Sequence, residues 1–139
     1  MTEQRLGQAT QRPVLIVDGA NVVGATPDGW WHDRAGAAER LRDRLADLGE
    51  VEGLPGAGPG TAHPEVILVT EGAARGVPSV PGVRVVEASG SGDDTIARLA
   101  APEAGENRTV VTADRELRRR ATAAGASVVG PGWLLDRLR

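Results

Sequence analysis

The chain has 139 residues, a formal net charge of −3, and 40% hydrophobic and 25% charged residues. That size and mix suit one globular domain that buries its own core, and they exclude a disordered or membrane-embedded chain. Cysteine is absent and all 16 basic residues are arginine, which excludes disulfide frameworks, thiolate chemistry and any mechanism that requires lysine.

The mild acidity argues against a general basic coat for nucleic acid, but not against a local site that works through a metal. Phe and Tyr are absent, so the three tryptophans are the only aromatics, and RNA reading by stacked Phe or Tyr is excluded. The first residues, MTEQRLGQATQR, are polar and lack the apolar stretch of a signal peptide. They read as a flexible tail, 1–12, ahead of a single domain, 13–139. A cytoplasmic location, with no membrane partner, is the expectation.

RPVLIVDG (12–19) is continuously apolar and reads as a strand buried on both faces. GATPDGWWHD is a loop. RAGAAERLRDRLADL (34–48) spaces Leu41, Leu45 and Leu48 as one face of an amphipathic helix. VEGLPGAGPGTAHP is a Gly/Pro-rich, mobile connector. EVILVTEG (65–72) repeats the first strand's pattern of apolar run, acid and glycine. PGVRVVEA (81–88) is a third strand, with no helix evident between it and the second. SGSGDDTIARLA (89–100) is a turn feeding a helix. RTVVTAD (108–114) is a fourth strand, RELRRRATAAG (115–125) a helix stopped by glycine, SVVG (127–130) a short fifth strand, and PGWLLDRL (131–138) a closing helix. Alternating strand and helix predict an α/β fold, a three-layer sandwich around a mostly parallel sheet of about five strands.

In open parallel sheets, sites form beyond the carboxyl ends of the strands, where strand order reverses. Asp18 closes the first strand, Asp114 closes the fourth, and Asp93 and Asp94 open the helix after the third. Each has a plainer reading. Asp114 suits an N-cap, and Ser91 with Asp94 has capping-box spacing. Asn21 suits a tight loop. Asp18 caps no obvious helix, and a carboxylate ending a buried strand is costly to desolvate. Together these carboxylates would repel, and a hard divalent cation, Mg²⁺ or Mn²⁺, is the ordinary remedy.

VDGANVVG, SGDDTIARLA and VVTADRELRRRATAAGA, in that order, resemble the NYN branch of the PIN-like nuclease superfamily, and within it the small bacterial YacP-like group. The resemblance runs from residue 13 to about 130. It implies a PIN-like parallel-sheet sandwich and a metal-dependent endoribonuclease. In such an enzyme a water activated by Mg²⁺ or Mn²⁺ cleaves RNA phosphodiester bonds. Asp18, Asp93 and Asp114 would hold the metal, and Asp94 would orient water or a second ion as a fourth catalytic acid. Asn21 and Thr112 match the signature's polar positions and would contact substrate. Many PIN nucleases carry a further acid in the first half; Glu39, Asp43 and Glu71 are the candidates. RNA is the implied partner, with ribosome association a further expectation.

Arg115, Arg118, Arg119 and Arg120 crowd the helix after Asp114; they suit phosphate contacts, Arg115 and Arg119 first, or simply a solvated face. Trp30 and Trp31 either stack a base or cover the core edge, and Trp133 reads as core. His32 and His63 stand alone. Receivers and dehalogenase-like phosphatases also end their first strand on Asp, but both rely on lysine, as a P-loop does. The remaining alternative is a non-catalytic RNA-binding or protein-interaction module that kept the fold.

Overall fold

A computed structural model of the chain describes residues 12–26, 29–57, 60–103 and 106–138. In chain order its elements are β1 (Val14–Asp18), α1 (Gly19–Gly24), α2 (Arg34–Ala46), β2 (Val51–Glu52), β3 (Thr61–Ala62), β4 (Glu65–Thr70), β5 (Val83–Glu87), α3 (Gly92–Ala100), β6 (Arg108–Val111), α4 (Arg115–Ala124), β7 (Ser127–Val129) and α5 (Pro131–Arg137). A single 3₁₀ turn, Trp30–His32, precedes α2.

β1 is buried along its whole length, as its uninterrupted apolar run requires. It pairs in parallel with β4 on one side and with β6 on the other. β5 extends the sheet beyond β4 and β7 extends it beyond β6, both in parallel, giving the order β5-β4-β1-β6-β7. Side chains alternate across the strands into two cores. Leu15, Val17, Val66 and Leu68 pack with Leu41 and Leu45 of α2 and Leu134 of α5. Val14, Ile16, Ile67 and Val69 pack with Ile96 of α3 and with Leu117 and Ala121 of α4. A parallel sheet between two helical layers is the predicted α/β sandwich.

The step from β4 to β5 carries no helix, as predicted. Its loop is pinned instead: the Ser79 hydroxyl accepts from the Val85 N–H at 2.8 Å, and Glu87 accepts from the Gly76 N–H at 2.9 Å. Two segments differ from expectation. GANVVG, where the expectation is only a tight loop at Asn21, is α1, a helix too short to be legible by periodicity. The Gly/Pro-rich connector carries the antiparallel pair β2–β3 and buries Val51 and Leu54. The Asn107 side-chain amide ties it down, donating to the Pro55 carbonyl at 2.8 Å. Of the expected tail, residues 1–11 lie outside the described residues. Arg12 donates to the carbonyls of His63 and Pro64. Among the described residues no helix is long and apolar enough to cross a membrane.

Gly19 fixes how α1 leaves the sheet. A Cβ on this residue would lie 2.5 Å from the Val69 carbonyl oxygen of β4, a backbone atom that cannot step aside. Gly19→Ala is therefore expected to destabilise the fold by about 1–3 kcal/mol, read as a lower midpoint in urea unfolding. An unchanged midpoint would show that β1 and β4 tolerate separation there.

Candidate active site

The chain steps from β1 outward through β4 to β5, then returns to the other side of β1 for β6 and β7. Strand order thus reverses at β1, and Asp18 is its last residue. Asp18 does cap a helix: its side chain accepts from the Asn21 N–H of α1, through Oδ1 at 3.3 Å. Its other oxygen, Oδ2, accepts from the Thr112 hydroxyl at 2.8 Å, across 94 residues of sequence. Asp18 is only 6% exposed. Burial raises its pKa above the ordinary value, and the nearby charges of Asp93 and Glu71 add to that. The bonds from Thr112 and Asn21 act the other way.

Thr112 joins the two sides of this switch point. Its hydroxyl donates to Asp18 and accepts from the Asp114 N–H at 3.1 Å. Its own N–H donates to the Val129 carbonyl, and its carbonyl accepts from Arg118 Nη1 at 2.8 Å. The intervening Ala113 N–H donates to Asn21 Oδ1 at 2.8 Å. The turn from β6 into α4 is therefore held amide by amide, and α1 is locked against it. Asn21 does more than steady its own loop, and its side-chain NH₂ has no partner among the described residues.

Asp114 caps α4, with Oδ1 accepting from the Leu117 N–H at 2.9 Å. Its charge also reaches Asp93, in the first turn of α3. Burial raises the Asp93 pKa most, followed by Asp114 and Glu71, while Arg120 opposes. Glu71 stands just beyond β4, and its Oε2 accepts from the Gly92 N–H at 2.7 Å, so it orients the start of α3. Asp18, Glu71, Asp93 and Asp114 thus gather at one sheet edge from four separate stretches of chain.

Asp94 goes elsewhere. It pairs with Arg120 of α4 at 3.1 Å, and its side chain is 68% exposed. The expected capping box does not close, because the Ser91 hydroxyl accepts from the Asp93 N–H. Among the three first-half acids, Glu71 is at the site. Glu39 and Asp43 lie exposed on α2, Asp43 beside Arg42. The repeated strand–acid–glycine pattern was the available signal for Glu71, since β1 and β4 run side by side.

Among the described residues no three acids or histidines are arranged to hold a metal ion. The donor set is nonetheless all oxygen, and burial first, with mutual repulsion adding to it, raises Asp18 and Asp93. Mg²⁺ ordinarily takes only one or two carboxylates, with waters and substrate phosphates completing the shell. The residues fit that open mode rather than a closed protein cage.

The arginine cluster divides. Arg118 and Arg120 are spent on Thr112 and Asp94. Arg119 pairs with Glu116 on the surface, and Arg115 is exposed with no partner among the described residues. Beside Asp18, a cleft of about 160 Å³ is lined by Gly19, Ala20, Val23, Trp30, Arg34, Ala38, Thr70, Glu71, Gly72 and Ala74. Trp30 is half-buried on its wall with the Arg34 guanidinium 5.3 Å over its ring, whereas Trp31 is 56% exposed, edge-on to Trp30. Trp133 packs partly buried against the α2-side core.

No family model matches the chain, and no curated protein matches it in sequence. Solved structures match it in fold, among them two of one protein. The crystal structure of Rae1 (YacP) from Bacillus subtilis has a TM-score of 0.70 at 21% identity, covering 90% of this chain and 72% of that one. A tryptophan-to-leucine mutant of the same protein has a TM-score of 0.67 at 22% identity, covering 91% and 74%. At that identity the likeness concerns the fold, and YacP is also the name of the group that the three sequence motifs resemble.

Proposed function

We propose that the chain is a ribonuclease that hydrolyses RNA phosphodiester bonds at this acidic edge with Mg²⁺ or Mn²⁺. The observation that carries the reading is Asp18: a carboxylate buried at the switch point, fixed by Thr112 and facing the charges of Asp93 and Glu71. The motif resemblance and the shared fold with Rae1 (YacP) support it. Asp18 and Asp93 would hold the ion, with Asp114 adding negative charge at the rim. A divalent ion bound there supplies an activated water and offsets charge on the phosphate.

The chain's own groups do the rest. Thr112 keeps Asp18 in one orientation, and Asn21 can donate its NH₂ to a phosphate oxygen. Arg115 and Arg119, on the first turns of α4, provide phosphate contacts for the flanking strand. Ribosome association belongs to the same proposal, as the setting in which RNA would be presented. So does a cytoplasmic location.

The second reading, an RNA-binding module without turnover, draws on the lack of a ready three-acid ion cage. Incubating the protein with single-stranded and structured RNA in Mn²⁺, Mg²⁺ or EDTA separates the two. Cleavage with either metal and none in EDTA is expected. Tight binding without cleavage in every condition selects the module, and cleavage that persists in EDTA removes the metal.

A further inference from the structure

We propose that the cleft beside Asp18 is a subsite for one unpaired pyrimidine base of the RNA, which deepens the ribonuclease reading and rests on it. The cleft shares Glu71 with the acidic edge, and its Gly19 and Ala20 directly follow Asp18, so a base seated there belongs to a nucleotide whose backbone runs past the carboxylates. An independent observation comes from Thr70. It is 2% exposed, lines the cleft, and its hydroxyl has no hydrogen-bond partner among the described residues. Strand alternation puts Thr70 on the face of Val66 and Leu68, which pack toward α2, the side on which the cleft opens. A buried hydroxyl left unpaired is unfavourable, and a ligand with a carbonyl or an N–H at that depth satisfies it.

The walls choose a base over a phosphate. Trp30 offers an aromatic face, and Ala20, Val23 and Ala38 are apolar. Glu71 adds a carboxylate that repels a phosphate but accepts from an exocyclic amine or ring N–H. Its Oε2 is held by the Gly92 N–H, and Oε1 makes no hydrogen bond among the described residues. The volume of about 160 Å³ is close to that of apolar cavities, about 150 Å³, that admit a benzene ring. A six-membered pyrimidine matches that size better than a fused purine. Arg34, already over the Trp30 ring, also lines the cleft and offers a guanidinium to the phosphate of the same nucleotide.

The test titrates the 5′-monophosphates of cytidine, uridine, adenosine and guanosine into the whole chain in EDTA, following the indole N–H resonances by NMR. Wild type is compared with Thr70→Val, Trp30→Leu and Trp133→Leu, the last outside the cleft. Pyrimidine nucleotides are expected to move the Trp30 resonance and to bind about tenfold more tightly than purine nucleotides. Thr70→Val is expected to lose roughly two- to tenfold in pyrimidine affinity with its melting temperature unchanged or raised, since it removes an unpaired hydroxyl. Trp30→Leu is expected to lose about fivefold or more, and Trp133→Leu to bind as wild type. Wild-type affinity in Thr70→Val, or equal binding of purines and pyrimidines, overturns the subsite. Metal-dependent cleavage alongside that result leaves the ribonuclease reading standing. Pyrimidine binding by a chain that cuts no RNA sinks the ribonuclease reading and keeps the subsite.

Discussion

Asp18→Asn is expected to lower RNA cleavage by roughly 10²–10³-fold while raising the protein's melting temperature. The two effects have one origin. Burial holds the Asp18 carboxyl above its ordinary pKa, so the ionised form that chemistry needs is the form the fold disfavours. Asparagine keeps the shape and removes the charge. Its Oδ1 can still accept from the Asn21 N–H, and the Thr112 hydroxyl can turn to accept from its NH₂. Above its raised folded pKa, wild-type Asp18 is a buried charge that carries the desolvation penalty, and the variant escapes that penalty. A gain of about 1 kcal/mol corresponds to roughly 3–5 °C for a domain of this length. As pH falls through the folded pKa toward the unfolded value near 3.8, wild-type Asp18 takes up its proton and the advantage fades. Comparing wild type with variant cancels the titration of the other carboxylates. A variant that melts below wild type at neutral pH, or a gap that widens on acidification, contradicts the assignment of Asp18 as a buried charge held for function.

Much of this site is written locally in the sequence, and the unread parts share a physical cause. An apolar run ending in an acid located Asp18, because strand burial and strand ends are short-range properties of the chain. By contrast, β6 stops at Val111, and Asp114, expected to close that strand, instead caps α4. The helix α1 was illegible because six residues, two of them glycine, carry almost no periodicity. Its start depends on the Asp18 cap and on the close approach of Gly19 to Val69, which only the paired strands reveal. The split between Asp93 and Asp94 was likewise undecidable from two adjacent identical residues. The packing of α3 against α4 separates the two by pairing Asp94 with Arg120. Thr112 was matched by motif, yet its bond to Asp18 spans the sheet from β6 to β1 and had no local sign. Glu71 required knowing that β1 and β4 are neighbours.

RNA affinity is expected to rise by about 5–150-fold when a divalent ion is present, because each ligand completes the other's site. Asp18 already spends one oxygen on Thr112 and the other on Asn21, and no three acids among the described residues stand ready to take an ion. The free protein is therefore expected to bind Mg²⁺ or Mn²⁺ weakly. A phosphate oxygen beside Asp18 and Asp93 would supply the missing ligand, and the ion would in turn relieve the repulsion between that phosphate and the carboxylates. Fluorescence anisotropy of a labelled single-stranded RNA, in Ca²⁺ or in EDTA at constant ionic strength, measures this coupling. Ca²⁺ serves as an oxygen-seeking ion of more relaxed geometry. Constant ionic strength matters because general salt screening alone shifts affinity. Asp93→Asn removes one carboxylate of the pair, so it should bind RNA more tightly than wild type in EDTA and lose most of the gain from the ion. Equal wild-type affinity in Ca²⁺ and EDTA would mean that the acids neither hold an ion nor meet the phosphate, and the chemistry would have to be sought away from the β1 edge.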